Sequence, residues 1–201
     1  MKKDYWYAAI VGLITAFFAR LIFVNSDTPL HIGFFVLPLW SLFIILPISE
    51  FIAYIIASKL FSRILVLKQL GRFGIVGLMN FSVDTGILTT LSVWTGVFGG
   101  ARLLPLNITS AIVAIINSYF WQRTWTFSEK VPPTRKEFMG FVMITVIGIA
   151  INTIIVTVLT GVVPPFDGLT PARLEVVAKI GATIVTLFWN FFGYKFFVFK
   201  S

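Results

Sequence analysis

The sequence predicts an all-α polytopic membrane protein with six transmembrane helices, the last four built as one helical hairpin repeated in parallel. Three observations lead there. The 201-residue chain is 58% hydrophobic and only 12% charged, about half the charged share of a soluble domain. Its apolar residues fall in six runs near the ~20 residues that a helix needs to cross the hydrocarbon layer. The end of the fourth run, Ser118-Tyr-Phe-Trp-Gln-Arg-Thr-Trp-Thr-Phe127, is echoed by the end of the sixth, Asn190-Phe-Phe-Gly-Tyr-Lys-Phe-Phe-Val-Phe199.

The first run, Tyr5–Val24, follows Met-Lys-Lys. Arg20 interrupts it and no small-x-small cleavage site follows, so it reads as a retained span rather than a signal peptide. Arg20 lies near the outer surface, where its long stem lets the guanidinium reach water. The second run, Ile32–Ala57, returns after a short outer loop, Asn25–His31. The basic stretch Lys59–Arg72 then marks a boundary between an N-terminal hairpin, residues 1–63, and the remainder, residues 64–201. Runs three and four, Phe73–Trp94 and Leu103–Trp121, form one hairpin. Runs five and six, Phe138–Thr160 and Leu174–Tyr194, form another. Gly and Pro punctuate the outer loops, as turns require.

With the N-terminus inside, twelve Lys and Arg residues fall in cytoplasmic segments, and only Arg102 and Arg173 fall in external loops. This positive-inside bias places both termini in the cytoplasm. It also reads the net charge of +8 as membrane orientation, with no nucleic acid as partner.

The repeat extends upstream of the two matching ends. An offset of 72 sets Arg123 on Lys195, Asn107 on Lys179 and Ser118 on Asn190, and an offset of 68 sets Phe73 on Phe141 and Asp84 on Asn152. Each copy crosses twice, so both have the same orientation, related by a pseudo-two-fold axis along the membrane normal.

Polar residues inside the runs recur at helical spacing. Segment three carries Asn80 and Asp84 on one face, segment four Asn107, Ser110, Asn117 and Ser118, segment five Asn152, and segment six Lys179, Thr186, Asn190 and Tyr194. Residues three or four apart share a face, and such faces turn away from lipid. Small and hydroxyl residues also form ordinary packing seams between membrane helices, so both readings stand for them. Asp84 and Lys179 are costlier to insert, at least ~2.5–3.5 kcal/mol each. Counted from the inner ends at ~1.5 Å per residue they sit roughly 18 and 24 Å deep, within a lysine's reach of one another. They form either a structural ion pair or a site where Lys179 meets an anionic or sugar group, with Asp84 holding it or hydrogen-bonding hydroxyls. Glu50 has no cation at its depth.

At the two matching ends, Arg123 and Lys195 stand at headgroup depth among Trp121, Trp125 and Tyr194. Cations with aromatics are ordinary interfacial anchors. They also suit a lipid phosphate, to which Arg bonds bidentately and Lys offers a point charge.

The run Phe73-Gly-Ile-Val-Gly77, then Asp84, the Arg-x-Trp-x-Phe end at 123–127 and its echo at 195–199 together resemble the GtrA-like family over residues 64–201. In the first copy Asn117 sits one position early and Ser118 holds the motif position; in the second, Lys195 replaces Arg and Phe197 replaces Trp. The resemblance implies translocation of a polyprenyl-phosphate-linked monosaccharide, such as undecaprenyl-phosphate glucose, to the outer leaflet of the cell membrane. Its implied partners are the lipid-linked sugar, membrane lipids and a cytoplasmic polyprenyl-phosphate glycosyltransferase, with a second copy of the chain as a further candidate. Asp84, Asn80, Asn107, Lys179, Asn152 and Asn190 would line the sugar path.

With no cysteine and one histidine, His31, a disulfide, a thiolate site or a metal centre is not expected. No nucleophile–base set or carboxylate pair points to catalysis, and no cofactor is expected. Two further readings remain open beside translocation. One is a scaffold that recruits the glycosyltransferase through basic loops 59–72 and 128–136. The other is a proton-coupled exporter using Asp84 or Glu50.

Overall fold

A computed structural model describes residues 2–27, 29–32, 35–60, 63–97, 102–162 and 171–199. Six helices dominate them: α1 (Lys2–Asn25), α2 (Leu42–Leu60), α3 (Leu65–Thr95), α4 (Leu103–Trp121), α5 (Arg135–Val162) and α6 (Pro171–Gly193). Among the described residues, α1, α3 and the segment Leu39–Leu60 that contains α2 are long and apolar enough to cross a membrane. The fold is that of an all-α membrane protein. It divides into two compact units, Met1–Ser128 and Glu129–Ser201.

Two local features depart from the expected run boundaries. The apolar run from Ile32 does not begin as helix. A small antiparallel ribbon, β1 (Leu30–Ile32) on β2 (Phe35–Leu37), pairs His31 with Val36. Helix then starts with a short 3₁₀ turn, Leu39–Ser41, behind Pro38 in an extended conformation. Proline disfavours helix in the residue before it, so Leu37 stays a strand. Helix α3, by contrast, starts eight residues before Phe73, at Leu65, and takes in much of the basic stretch. It ends where Gly96 adopts a left-handed φ of 68° and Val97 N–H reaches back to the Ser92 carbonyl, a conformation that glycine adopts without strain.

In the first unit, α1 packs on both α2 and α3, and α3 packs on α4. The seams are close because small residues let backbones approach. A Cβ at Gly12 would fall 2.5 Å from the Pro47 Cα, and one at Gly86 would fall 2.9 Å from the Phe18 carbonyl oxygen. Ala8 and Val11 of α1, with Val76, Met79 and Val83 of α3, fill the core beside Ala114, Trp121 and Trp125. Large apolar side chains also face outward in four-residue steps: Ile44, Ile48, Ile52 and Ile56 on α2, and Ile108, Ile112, Ile116 and Phe120 on α4. Water would penalise those stripes; lipid matches them. Trp6, Trp40 and Trp94, all exposed, stand near helix ends, where an aromatic belt meets the headgroups.

In the second unit α5 pairs with α6. Gly148 and Gly193 lie at the seam, under Asn190 and Ile144 respectively. Ile184, Phe188, Phe192 and Phe196 form an exposed stripe along the other side.

Candidate functional site

Both cation–aromatic ends leave α-helical geometry at equivalent positions. Gln122–Thr126 and Tyr194–Val198 are each one π-helical turn. Phe127 N–H reaches the Gln122 carbonyl at 2.8 Å, and Phe199 N–H reaches that of Tyr194 at 2.7 Å. Such i→i−5 turns are rare and recur at functional sites. The wider turn re-aims the side chains that follow: Phe127 and Phe199 fold back and are both buried. The positive φ of Ser128, 55°, then ends the first turn, with its hydroxyl donating to the Trp125 carbonyl at 3.0 Å.

The surroundings of the two turns differ. In the first, Trp121 and Trp125 are buried against protein rings: Trp121 meets Tyr7 edge-on at 5.8 Å and Trp125 lies 5.8 Å from Tyr54. Their faces are therefore not open to a ligand. In the second, Tyr194 is buried too, stacked on Phe141 at 4.2 Å and hydrogen-bonded to the Thr145 hydroxyl at 2.7 Å. Phe197, which takes the place of Trp125, is 75% exposed, against 0% for Trp125. Arg123 and Lys195 are both half-buried.

Arg72, which the sequence places only in a basic stretch, organises the first end. One of its nitrogens donates to the Trp125 carbonyl at 3.0 Å, the other meets Asp4 at 2.9 Å, and the guanidinium lies 6.0 Å from the Tyr54 ring centroid. That carbonyl is one that a π turn leaves beside the helix end, so the arginine caps it. In the sequence Arg72 is the last residue of the basic stretch Lys59–Arg72, but its partners are remote in sequence, and no local signal names them.

Deeper in the first unit, α3 and α4 meet through polar side chains. Ser110 donates to Asp84 at 2.8 Å, and Asn117 faces Asn80 at 3.5 Å. Asn80 and Asp84 lie one turn apart, roughly 6 Å along the helix, so the two contacts form a short ladder. Asp84 thus has a hydroxyl partner that the sequence placed only on a neighbouring stripe. The side chains of Asn107, Asn152 and Lys179 lie outside the described residues, and with them the expected Asp84–Lys179 pairing. In the second unit Asn190 sits over Gly148, its amide oxygen buried without a hydrogen-bond partner, while Trp189 donates to the Ile144 carbonyl at 3.1 Å. Glu50 is buried in α2, with Thr15 of α1 as its polar neighbour.

Comparison with known proteins places these features in a family. The model described as GtrA/DPMS, transmembrane domain, matches residues 72–199. Among curated proteins, the chain is similar to the "uncharacterized membrane protein YngA" of Bacillus subtilis (strain 168), 32% identical over 133 residues, which cover 66% of this chain and 80% of that protein. No solved structure matches.

Proposed function

Because the chain belongs to the GtrA/DPMS transmembrane-domain family, we propose that it carries a polyprenyl-phosphate-linked monosaccharide from the cytoplasmic to the outer leaflet of the cell membrane, for glycosylation of an envelope polysaccharide. The observation that carries this reading is the polar ladder of Asp84, Ser110, Asn80 and Asn117 between α3 and α4. A carboxylate and two amides in membrane helices are costly unless they have a task. Hydroxyl-rich cargo is what such donors and acceptors recognise, while the prenyl tail can remain in lipid.

In this reading all six helices cross the membrane and both termini are cytoplasmic. Residues 64–201 are two copies of one hairpin, and residues 1–63 are an added hairpin. The π turns at an offset of 72 support the duplication. Arg123 and Lys195 meet the phosphate at the inner face. Asp84, Asn80, Asn107, Asn152, Lys179 and Asn190 line the sugar's route, and a cytoplasmic glycosyltransferase delivers the cargo.

The test is leaflet accessibility of a labelled polyprenyl-phosphate sugar in proteoliposomes. Protein-containing vesicles are expected to equilibrate the label, and Asp84→Ala to slow it by about tenfold or more, a barrier change of ~1.4 kcal/mol. Vesicles that equilibrate no faster than protein-free ones would sink the proposal. Synthesis lost on charge reversal in 59–72 or 128–136 would then point to the scaffold.

A further inference from the structure

The N-terminal hairpin lies before the family-matched residues, yet it builds a cavity with the first of them. Asp4 and Tyr5 of α1, Tyr54, Ala57, Ser58 and Lys59 of α2, and Lys68 and Arg72 of α3 enclose about 330 Å³. That volume is at the lower end of the roughly 300–1,000 Å³ of small-molecule sites. Three cations face one carboxylate across it. Lys68 and Arg72 stand four residues apart, on one face of α3. Among the described residues, Lys59 and Lys68 have no ion-pair partner.

Three observations specify the occupant. First, the Asp4 carboxylate lies 2.9 Å from Arg72, marking where an anionic oxygen sits against the guanidinium, and the two remaining ammonium groups leave the cavity cationic. Arg and Lys around one volume is the donor set for phosphate. Second, α3 has 31 residues, about 46 Å at 1.5 Å each, so it overruns a ~30 Å hydrocarbon core. Its basic first turns therefore reach headgroup depth. Third, Trp6, Ile56, Leu60, Ile64 and Leu65 around this end are exposed and apolar, a surface on which a lipid tail can lie.

We propose that Lys59, Lys68 and Arg72 form a recognition pocket for the phosphate of a membrane-embedded lipid, assembled jointly by the N-terminal hairpin and the start of the family domain. The choice of a lipid as the phosphate's source rests on the translocation reading. The pocket adjoins the first π turn through the bond from Arg72 to the Trp125 carbonyl. Asp4 occupies part of the anion's place and would be displaced or shared on binding.

The test is equilibrium binding to the purified full chain in detergent micelles, with farnesyl monophosphate, farnesol and inorganic phosphate as separate probes. Farnesyl monophosphate is expected to bind at least about tenfold tighter than either of the others, ~1.4 kcal/mol. The double variant Lys59→Gln/Lys68→Gln should weaken it by a similar factor. That pair avoids Arg72, whose loss also disturbs packing. Asp4→Asn should bind several-fold tighter. Unchanged affinity in the double variant overturns the pocket, as does equal binding of farnesol. Equal binding of inorganic phosphate overturns the lipid. The assay involves no transport, so a pocket that binds in a protein that does not flip would leave this inference standing while the translocation reading fell.

Discussion

The two cation–aromatic ends share a backbone and differ in almost everything laid on it. Each is a π turn closed by a buried Phe, with its cation at the second position. At the first, Trp125 is sealed among Tyr54, Tyr7 and the Arg72 contact, and the neighbouring cavity has three cations and one acid. At the second, Phe197 is open and lines a depression of about 580 Å³ with Lys136, Glu129 and Glu137, one cation against two acids. The lining of the first cavity is therefore the more favourable for an anion, and that of the second the less. Equivalent backbone does not make equivalent sites: in the translocation reading Arg123 at the first end makes the stronger contact with the phosphate and Lys195 at the second the weaker, while Tyr194, Phe141 and Thr145 pack the second end.

The sharpest way to break that contrast is to truncate the two equivalent rings. Trp125→Ala empties a buried site and should cost ~3–5 kcal/mol. Phe197→Ala removes an exposed ring and should stay within about 0.5 kcal/mol. Denaturant unfolding in micelles measures both, and similar losses would mean that the two ends are equally built into the fold. Next in size is Arg72→Gln, expected to cost about 1.5–3 kcal/mol, because a charge-assisted bond and the cap on the Trp125 carbonyl go together. Arg72→Lys should recover less than half, since a single ammonium cannot serve Asp4 and the carbonyl in the same geometry. Smallest is Tyr194→Phe, at about 1 kcal/mol. The stacked ring is kept, and Thr145 retains its bond to the Phe141 carbonyl at 2.9 Å. A loss of 3 kcal/mol or more, far above the worth of one neutral hydrogen bond, would show that Tyr194 does more at the second end than pack.

Much of this was legible in the sequence because the signals were local. Helices of membrane length follow from apolar runs, and the two ends match residue by residue in the sequence alone. The departures have local physical causes as well. Pro38 breaks a run that hydropathy reads as continuous, and Leu65–Leu67 carry α3 back through charges that read as loop. The π turns were not legible, since one extra residue in a turn leaves no mark on a 3.6-residue period. Nor was the pocket. Asp4, Lys59 and Arg72 belong to three different helices, and only packing brings them together. Asp84 was found by its cost, but its Ser110 partner emerged only from the register of α3 on α4.

The most direct measurement is the initial rate of transbilayer movement of a labelled polyprenyl-phosphate sugar in proteoliposomes made with Arg123→Gln or Lys195→Gln protein. If the first end receives the phosphate, Arg123→Gln slows movement by about tenfold or more, ~1.4 kcal/mol of barrier, and Lys195→Gln slows it far less. Equal rates in the two variants, or wild-type vesicles no faster than empty ones, would contradict it.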